Sequence, residues 1–264
     1  MTDVTDPRDG GVRMAAVQID DYGPWTTSPA PRRETDLQAL QARLFATVAD
    51  FLGDRDGYAF TGRFDNMVGV ANRIPPETFE RLQERVRNRY PVTVSVGVGT
   101  APTPAAALDA AGGVLREAGS AQGPDRREVL GHRTEDGASP GTVTVAHFDL
   151  VDATGEFTDR VSPARATHTI RRVALDLGEH LREEHDAVTQ FVGGDNVIAV
   201  CPPLDRRDLD AAREHVHERT GVELQVGVGH GPTAHAAGDD AKHALEQCRE
   251  TGDRIHGPWE AADD

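Results

Sequence analysis

Lysine and cysteine are the scarcest chemically reactive residues in this chain. Lys242 is the only lysine, and Cys201 and Cys248 stand alone without a C-x-x-C partner. Two isolated cysteines exclude a disulfide framework and a cysteine-rich zinc site. The eleven histidines contain no H-E-x-x-H motif. We therefore expect any bound metal to be a hard ion held by oxygen ligands.

Excess positive charge and long apolar runs are also missing. The chain has 28 lysines and arginines against 44 aspartates and glutamates, a formal net charge of -16. Such a surface repels nucleic acids and anionic membranes, and it suits a salt-rich cytoplasm in which self-repulsion is screened. No apolar stretch reaches the roughly 18 residues of a membrane span, and the polar N-terminus has no signal-peptide core. We expect a soluble, cytoplasmic protein that binds neither nucleic acid nor membrane.

The sequence contains an internal repeat with an offset of about 130 residues. Val94-Ser-Val-Gly-Val-Gly99 returns as Leu224-Gln-Val-Gly-Val-Gly229, and a Pro-Thr pair follows both runs. This period is far longer than the roughly 20 to 50 residues of a solenoid repeat. Each copy is long enough to form a domain with its own core.

Each copy also carries two aspartates in comparable places. Asp20 and Asp149 end apolar runs that are typical of strands, whereas Asp65 and Asp195 each precede an asparagine in a predicted hairpin turn. The separation between the two acids differs by only one residue between the copies. We therefore expect the two pairs to occupy equivalent positions.

Hydrophobic periodicity predicts the same order of elements in both copies: strand, helix, hairpin, helix, strand and a final helix. This β-α-β-β-α-β order predicts an α+β fold of two tandem ferredoxin-like domains that arose by internal duplication. We place the domains at 13–122 and 142–256, with 123–141 as a linker in which we expect disorder. In the first copy the predicted elements are a strand at 14–20, a helix opened by the capping-box pattern Thr35-x-x-Gln38, a hairpin at 58–71, a helix ending near 90, a strand at 92–98 and a helix at 104–118. In the second copy they are a strand at 143–149, a helix at 163–184, a hairpin at 187–201, a helix at 206–219, a strand at 222–228 and a helix at 233–250.

This topology predicts a metal site in each copy. The first strand of such a sheet lies beside the hairpin, so the two acids of a copy become neighbours. Neighbouring carboxylates raise each other's pKa unless a cation neutralises them. Magnesium takes one or two carboxylates and completes its octahedron with water and phosphate oxygens, and two such ions can activate water and stabilise a leaving oxygen. The predicted ligands of two Mg2+ ions are Asp20, Asp65, Asp149 and Asp195.

Longer motifs carry a resemblance to known families. Gly193-Gly-Asp-Asn196 resembles the hairpin of GGDEF-type diguanylate cyclases, and the repeated unit resembles the palm domain of those enzymes, of nucleotidyl cyclases and of many polymerases. Residues 14 to 250 are similar to the archaeal GTP cyclohydrolase III family. The motifs that carry this similarity are Gln18-Ile-Asp-Asp-Tyr-Gly-Pro-Trp25, the segment 29–41, Arg63-Phe-Asp-Asn66, Asn88-Arg-Tyr-Pro91 and Gly119-Ser-Ala-Gln122.

The resemblance implies an enzyme that opens the imidazole ring of GTP and cleaves its phosphate chain. The products would be 2-amino-5-formylamino-6-(5-phosphoribosylamino)pyrimidin-4(3H)-one and inorganic phosphate, an early step of flavin and deazaflavin biosynthesis. It further implies two Mg2+ ions, activation by a monovalent cation such as K+, and a homo-oligomer, either a dimer or a tetramer.

Carried over by residue, the resemblance implies that Asp20 and Asp65 are the catalytic metal ligands of the first copy. Asp149 and Asp195 take the corresponding places in the second copy. We favour the first copy because its Tyr22-Gly-Pro-Trp25 loop has no counterpart in the second. Both copies could still contribute to one site or keep separate sites.

The residues themselves indicate how a nucleotide could bind. Arg32 and Arg33 could grip a triphosphate, because guanidinium meets phosphate oxygens with a planar fork. Tyr22 or Trp25 could stack on guanine or instead close the end of the sheet. Asn66 could bind substrate or simply accommodate a tight turn.

Two other functions use a similar set of acids. A nucleotidyl or diguanylate cyclase would use them to form a phosphodiester, and a nucleotide sensor would bind without turnover. Strand glycines could also suggest phosphate cradles, but no G-x-x-x-x-G-K-[ST] motif is present, so we expect Gly97, Gly99, Gly227 and Gly229 to be structural.

Overall fold

The computed structural model describes residues 10–123, 126–151 and 161–259. Within these ranges the chain forms two compact units: an N-terminal unit from Gly10–Pro102 and Ala106–Gly141, and a C-terminal unit from Thr142 onward. Each unit has a five-stranded sheet. None of the helices described in these ranges combines the length and the apolar composition of a membrane span.

The N-terminal sheet has the strand order β2-β3-β1-β4-β5. Its first four strands form the antiparallel ferredoxin-like arrangement that the sequence predicted, and β5 adds to the edge in parallel with β4. The elements are β1 (Val12–Ile19), α1 (Tyr22–Thr27), α2 (Glu34–Gly53), β2 (Tyr58–Thr61), β3 (Asn66–Val70), a 3-10 turn (Pro76–Phe79), α3 (Glu80–Arg89), β4 (Val94–Ala101), α4 (Pro104–Glu117) and β5 (Leu130–Thr134).

The C-terminal sheet repeats this arrangement with the order β10-β9-β6-β8-β7. A short parallel strand again extends the edge beside the last long strand. The elements are β6 (Val143–Leu150), α5 (Pro163–His185), β7 (Val188–Gly193), β8 (Asn196–Cys201), α6 (Arg206–Thr220), β9 (Leu224–Gly231), α7 (Ala234–Thr251) and β10 (Ile255–His256). The predicted fold of two tandem ferredoxin-like domains is confirmed.

Both faces of the N-terminal sheet are covered by helices. Val17 and Ile19 of β1 pack into a buried apolar cluster with α2 and α3, including Leu44 and Phe51. On the other face, α4 approaches so closely that a Cβ on Gly99 would collide with a backbone carbonyl of that helix.

The C-terminal unit follows the same plan. Gly229 meets α7 as Gly99 meets α4, and a Cβ there would also strike the helix backbone. The strand glycines therefore permit close packing of a helix on the sheet, as expected from the sequence.

Two elements of the N-terminal unit differ from the sequence-based expectation. The loop after Asp20 contains the short helix α1, which was not predicted. The strand β5 lies inside the segment 123–141, so the expected disorder is wrong for Leu130–Thr134; only Leu130 in this strand is apolar, and no alternation marked it. Residues 124 and 125 of that segment lie outside the described residues.

The predicted capping box of α2 does not form. The helix begins at Glu34 with Arg33 at the N-cap position, so Thr35 lies inside the first turn, where it cannot cap the helix. A capping box does form at α6, whose Asp205 carboxylate accepts hydrogen bonds from the backbone N–H groups of Arg207 and Asp208.

Candidate functional site

A cleft of about 870 Å³ opens beside α2 in the N-terminal unit. Its volume falls in the range of pockets for small molecules, roughly 300 to 1,000 Å³. The loop between α1 and α2, the middle of α2 and the end of α3 all contribute to its walls. Its basic and aromatic lining consists of Arg32, Arg33, Arg43, Arg89, Trp25 and Tyr90.

Aromatic stacking fixes the loop that carries Arg32. The guanidinium carbon of Arg32 lies 3.9 Å from the centre of the Trp25 ring, and Arg32 Nε donates a hydrogen bond to the Trp25 carbonyl oxygen at 2.9 Å. Tyr22 stacks on Trp25 with ring centres 6.1 Å apart. Both rings pack against the core of the unit, so this arginine is held in place before any ligand arrives.

Tyr22 is tied into the structure behind the cleft. Gln41 Nε2 donates a hydrogen bond of 2.7 Å to the Tyr22 hydroxyl oxygen. Burial raises the pKa of Tyr22, and the nearby carboxylate of Asp65 adds to this increase. Tyr22 is not among the residues that line the cleft. It affects the cleft by stacking on Trp25, which does line it.

The arginines of the cleft differ in how their charge is balanced. Arg33 forms two hydrogen bonds with the Asp36 carboxylate, at 2.9 and 2.8 Å, and these bonds raise the pKa of Arg33. In the described ranges, Arg32, Arg43 and Arg89 have no carboxylate oxygen within 4 Å. Arginines without an ion-pair partner among the described residues therefore line one cleft of a chain whose net charge is -16, and their charge would attract an anion.

Asp20 is buried and fully engaged by hydrogen-bond donors. Ser95 Oγ and Arg126 Nη2 donate to Asp20 Oδ1 at 2.6 and 3.4 Å. Thr93 Oγ1 and the backbone N–H of Glu128 donate to Oδ2, both at 2.9 Å. The carboxylate therefore joins β1 to β4 and to the segment after residue 126.

Asp65 lies in the β2–β3 turn, where it contacts Ile19, Asn66 and Arg63. Its carbonyl oxygen accepts the backbone hydrogen bond of Ile19 at 3.0 Å, so the turn does lie beside the end of β1, as predicted. Its carboxylate accepts from Asn66 at 3.0 Å and lies 3.6 Å from Arg63. Among the described residues, no hydrogen bond joins the Asp65 and Asp20 side chains, and the pairing of these two acids around a metal stays a prediction.

The expected equivalence of Asp20 and Asp149 is wrong by two residues. Asp149 stands opposite Asn196 on β8 and Gln225 on β9. In the N-terminal unit the residue opposite the matching positions, Asn66 and Ser95, is Gln18. The spacing between the two acids, which differs by only one residue between the copies, concealed this offset, because the paired positions Gln18 and Asn66 are one residue further apart in sequence than Asp149 and Asn196.

The C-terminal unit does bring its two acids together. The Asp149 carboxylate accepts hydrogen bonds from Gln225 Nε2 and Arg249 Nη2, both at 2.9 Å. Burial raises the pKa of Asp195, and the Asp149 carboxylate raises it further through charge and a hydrogen bond. Asp149 in turn raises the pKa of Arg249. The carboxyl groups of Asp149 and Asp195 therefore lie close together at the end of β6.

The two pairs differ in their fit to magnesium. Asp20 has donors on both oxygens, so its arrangement does not fit a metal ligand. Asp149 and Asp195 supply two adjacent carboxylates, which is the number that magnesium commonly takes from a protein. Across residues 10–123, 126–151 and 161–259, no group of three or more histidine, cysteine or acidic side chains is arranged to hold a metal.

Several residues of these sites were missed by the sequence analysis. Arg43, Arg89 and Tyr90 line the cleft with Arg32 and Arg33. Arg43 follows Asp36 by seven residues on one helix, so helical periodicity could have placed it on the same face. Nothing local in the sequence marks Arg249 as a partner of Asp149, 100 residues away.

Comparisons with known proteins identify the family of this chain. The family model of GTP cyclohydrolase III matches residues 14–264. The chain is 70% identical over 253 residues to GTP cyclohydrolase III 2 of Halobacterium salinarum, covering 95% of this chain and 100% of that protein. It is 41% identical over 239 residues to GTP cyclohydrolase III of Methanococcus maripaludis, covering 90% and 89% respectively.

The comparison with solved structures gives only weak matches. The GGDEF domain of DgcB from Caulobacter crescentus, in complex with c-di-GMP, aligns with a TM-score of 0.38 and 18% identity over 44% of this chain and 77% of that chain. The family is shown by the sequence relatives, whose similarity covers nearly the whole chain. The chain belongs to the GTP cyclohydrolase III family.

Proposed function

We propose that this protein is a GTP cyclohydrolase that hydrolyses GTP to 2-amino-5-formylamino-6-(5-phosphoribosylamino)pyrimidin-4(3H)-one and inorganic phosphate. The relatives that cover most of its length carry that name. The observation that supports it is a cleft lined by Arg32, Arg43 and Arg89, none of which has a carboxylate oxygen within 4 Å among the described residues. A triphosphate is the part of GTP that such a cleft would bind.

Each arginine of the cleft has a distinct role in this proposal. Arg32 offers its free Nη groups while Trp25 holds its plane. Arg43 and Arg89 approach from α2 and from the end of α3, so phosphate oxygens can be held from more than one side. Arg33 reaches phosphate only if it exchanges Asp36 for the ligand, and it contributes less. Charge-assisted hydrogen bonds of this kind contribute about 1.5–3 kcal/mol each.

Aromatic rings in the same cleft suit the base. Trp25 and Tyr90 both line it, and stacking of a base on an aromatic ring contributes about 1–3 kcal/mol. Tyr22 acts by supporting Trp25. Asn66 lies on the other face of the sheet, where it lines a separate cavity, so a role in binding GTP in this cleft is not favoured.

The proposal includes a magnesium ion bound by the C-terminal unit. Asp149 and Asp195 would hold it, with Arg249 limiting the negative charge of the pair. When bound, magnesium supplies positive charge to phosphate oxygens and lowers the pKa of coordinated water. The assignment of metal ions to Asp20 and Asp65 stays a prediction that the contacts of Asp20 do not favour. A second Mg2+, K+ activation, a homo-oligomer and a cytoplasmic location are further expectations from the resemblance.

The decisive experiment incubates the purified full-length chain with GTP and Mg2+. Ring opening changes the purine absorbance, and it should be accompanied by release of inorganic phosphate and by a product of the expected mass. A cyclase would keep the purine chromophore and release pyrophosphate, and a sensor would leave GTP intact. Either of those results would overturn the proposal.

A matched pair of variants tests the cleft itself. Arg89→Gln should raise the KM for GTP about tenfold or more, because it removes a charged donor to phosphate. Arg85→Gln removes the same charge from an exposed position outside the cleft and should leave the KM unchanged. Equal KM values in the two variants would place GTP elsewhere.

A further inference from the structure

Helices α5 and α6 of the C-terminal unit meet through two polar contacts. Arg219 Nε of α6 donates a hydrogen bond of 3.2 Å to the Asp176 carboxylate of α5. One turn further along both helices, the imidazole rings of His180 and His215 stack, with ring centres 4.6 Å apart and planes inclined by 26°. Residues four apart lie on one face of a helix, so the two helices run in opposite directions at this interface.

The histidine pair, His180 and His215, lies at the border of the apolar core. Both side chains are partly buried. The buried residues beside them on the two helices belong to the core of the C-terminal unit: Leu177, Leu181, Ala212 and Val216. A gap between the helices at the histidine pair would therefore admit water to this core.

The surroundings of His180 disfavour its charged form. In the described part of the chain its Nε2 is buried without a hydrogen-bond partner. Burial lowers the pKa of His180, and the positive charge of a protonated His215 lowers it further. Glu184 and Glu183 on the same helix act in the opposite direction, but both are exposed and do not reverse the shift of this pKa. The strands β7 and β8, which also pack against α5, contain no charged residue.

His185, the last residue of α5, has different surroundings. Its ring lies edge-on to that of His180, with 6.3 Å between the ring centres. Backbone hydrogen bonds at the start of α6 lower the pKa of Asp205, and the positive charge of a protonated His185 lowers it further. A carboxylate thus balances a proton on His185, whereas burial opposes a proton on His180.

We propose that the histidine pair is an acid-sensitive contact that holds α5 against α6 only while its rings are uncharged. A proton on each ring would place two positive charges 4.6 Å apart in a partly buried interface, where like charges repel more strongly than in water. The rings then separate, α5 moves away from α6, and both imidazoles reach water. This device lies within the C-terminal unit and does not depend on the function proposed above.

The pH range follows from the ordinary pKa of histidine, about 6.5. Because the pKa of His180 is lowered while the helices are in contact, the separated form takes up protons first as the pH falls. The contact is therefore fully stable above about pH 6.5 and weakens below it. Each proton taken up on separation shifts this equilibrium by up to about tenfold per pH unit. Exposed carboxyl groups, with an ordinary pKa of about 4, keep their charge in this range.

Hydrogen–deuterium exchange of the full-length chain tests the proposal, with the salt concentration held constant. Exchange rates at about pH 7.5 and about pH 5.5 are corrected for the intrinsic effect of pH on each amide. The amides of α5 and α6 should lose protection severalfold at the lower pH. Those of β6 and β9 in the same unit, and those of α2 in the other unit, should keep theirs. Equal losses in α5, β6 and β9 would mean that the whole unit unfolds, and would overturn the proposal.

Substitution by glutamine removes the titrating ring and keeps a polar side chain. His180→Gln should abolish the pH-dependent loss of protection in α5 and α6. His215→Gln, on the other helix, should reduce this loss, so the test survives if one variant does not fold. The matched control is His168→Gln, which removes an exposed histidine from α5 and should leave the loss unchanged.

Three results would contradict an acid-sensitive contact between these helices. One is protection of α5 and α6 that does not change between the two pH values. Another is a pH dependence that persists in full in both His180→Gln and His215→Gln. The third is a pH dependence that His168→Gln abolishes as well, because the effect would then come from the total charge of α5 and not from the histidine pair.

Discussion

Replacement of Asp20 by asparagine should unfold the N-terminal unit more readily rather than remove a metal. The Asp20 side chain is 1% exposed and receives four hydrogen bonds, one of them from the buried Arg126. An asparagine keeps one acceptor oxygen and turns an NH2 group toward the remaining donors. It also leaves the charge of Arg126 without a partner.

The expected loss follows from these contacts. Removing one partner of a buried ion pair costs about 3–5 kcal/mol. This is a large part of the roughly 5–15 kcal/mol that stabilises a typical domain. Asp65→Asn is the matched control, because the Asp65 side chain is 24% exposed and its salt bridge to Arg63 is open to solvent. Exposed pairs contribute at most about 1 kcal/mol.

Tryptophan fluorescence can report on the two units separately during denaturant unfolding. Trp25 lies in the N-terminal unit and Trp259 packs against the core of the C-terminal unit, so a Trp259→Phe background isolates the first signal. Asp20→Asn should shift the Trp25 transition to lower denaturant, whereas Asp65→Asn should not. If Asp20→Asn leaves this transition in place but abolishes Mg2+-dependent turnover, Asp20 is a metal ligand and the reasoning is refuted.

Three further predictions concern the C-terminal unit and the sheet. Asp149→Asn and Asp195→Asn should each lower GTP turnover about 100-fold, and Asp65→Asn should lower it less; the reverse order would return the metal to the N-terminal unit. Burial lowers the pKa of His147, His180 and His230, so the unfolded chain takes up more protons as pH falls below about 6.5, and the C-terminal unit should lose stability on acidification. Denaturant midpoints at two pH values measure this loss. If a His230→Gln variant keeps the pH dependence of the unaltered protein, His230 does not contribute to it. Gly99→Ala should destabilise the N-terminal unit by about 1–3 kcal/mol, because the added methyl meets the backbone of α4; a melting temperature equal to that of the unaltered protein would contradict this.

Much of the fold could be predicted because its signals are local or periodic. The stripe that includes Leu44, Val48 and Phe51 identified α2, and these residues are buried as expected. The repeated Val-Gly-Val-Gly run identified β4 and β9 in both copies. The order of elements then determined the topology, because few arrangements satisfy a repeated β-α-β-β-α-β pattern.

The features that could not be predicted depend on three-dimensional neighbours. The strand β5 has almost no apolar residues and exists because it pairs with Val96–Thr100. The different surroundings of Asp20 and Asp149 depend on strand register, which the spacing of residues does not specify when turns differ in form. Arg43 and Arg89 join one cleft only after α2 and α3 have packed together.

The two-residue displacement between Asp20 and Asp149 has a practical consequence for chimeras of the two halves. Grafting β6 in place of β1 by superimposing their acids would slide the strand by one full pleat. Every side chain would keep its face, but each would meet the wrong neighbours on β3 and β4. Superposition by ladder partners instead puts Asp149 where Gln18 now stands, and the graft would then carry an acid into a place that this half has left uncharged.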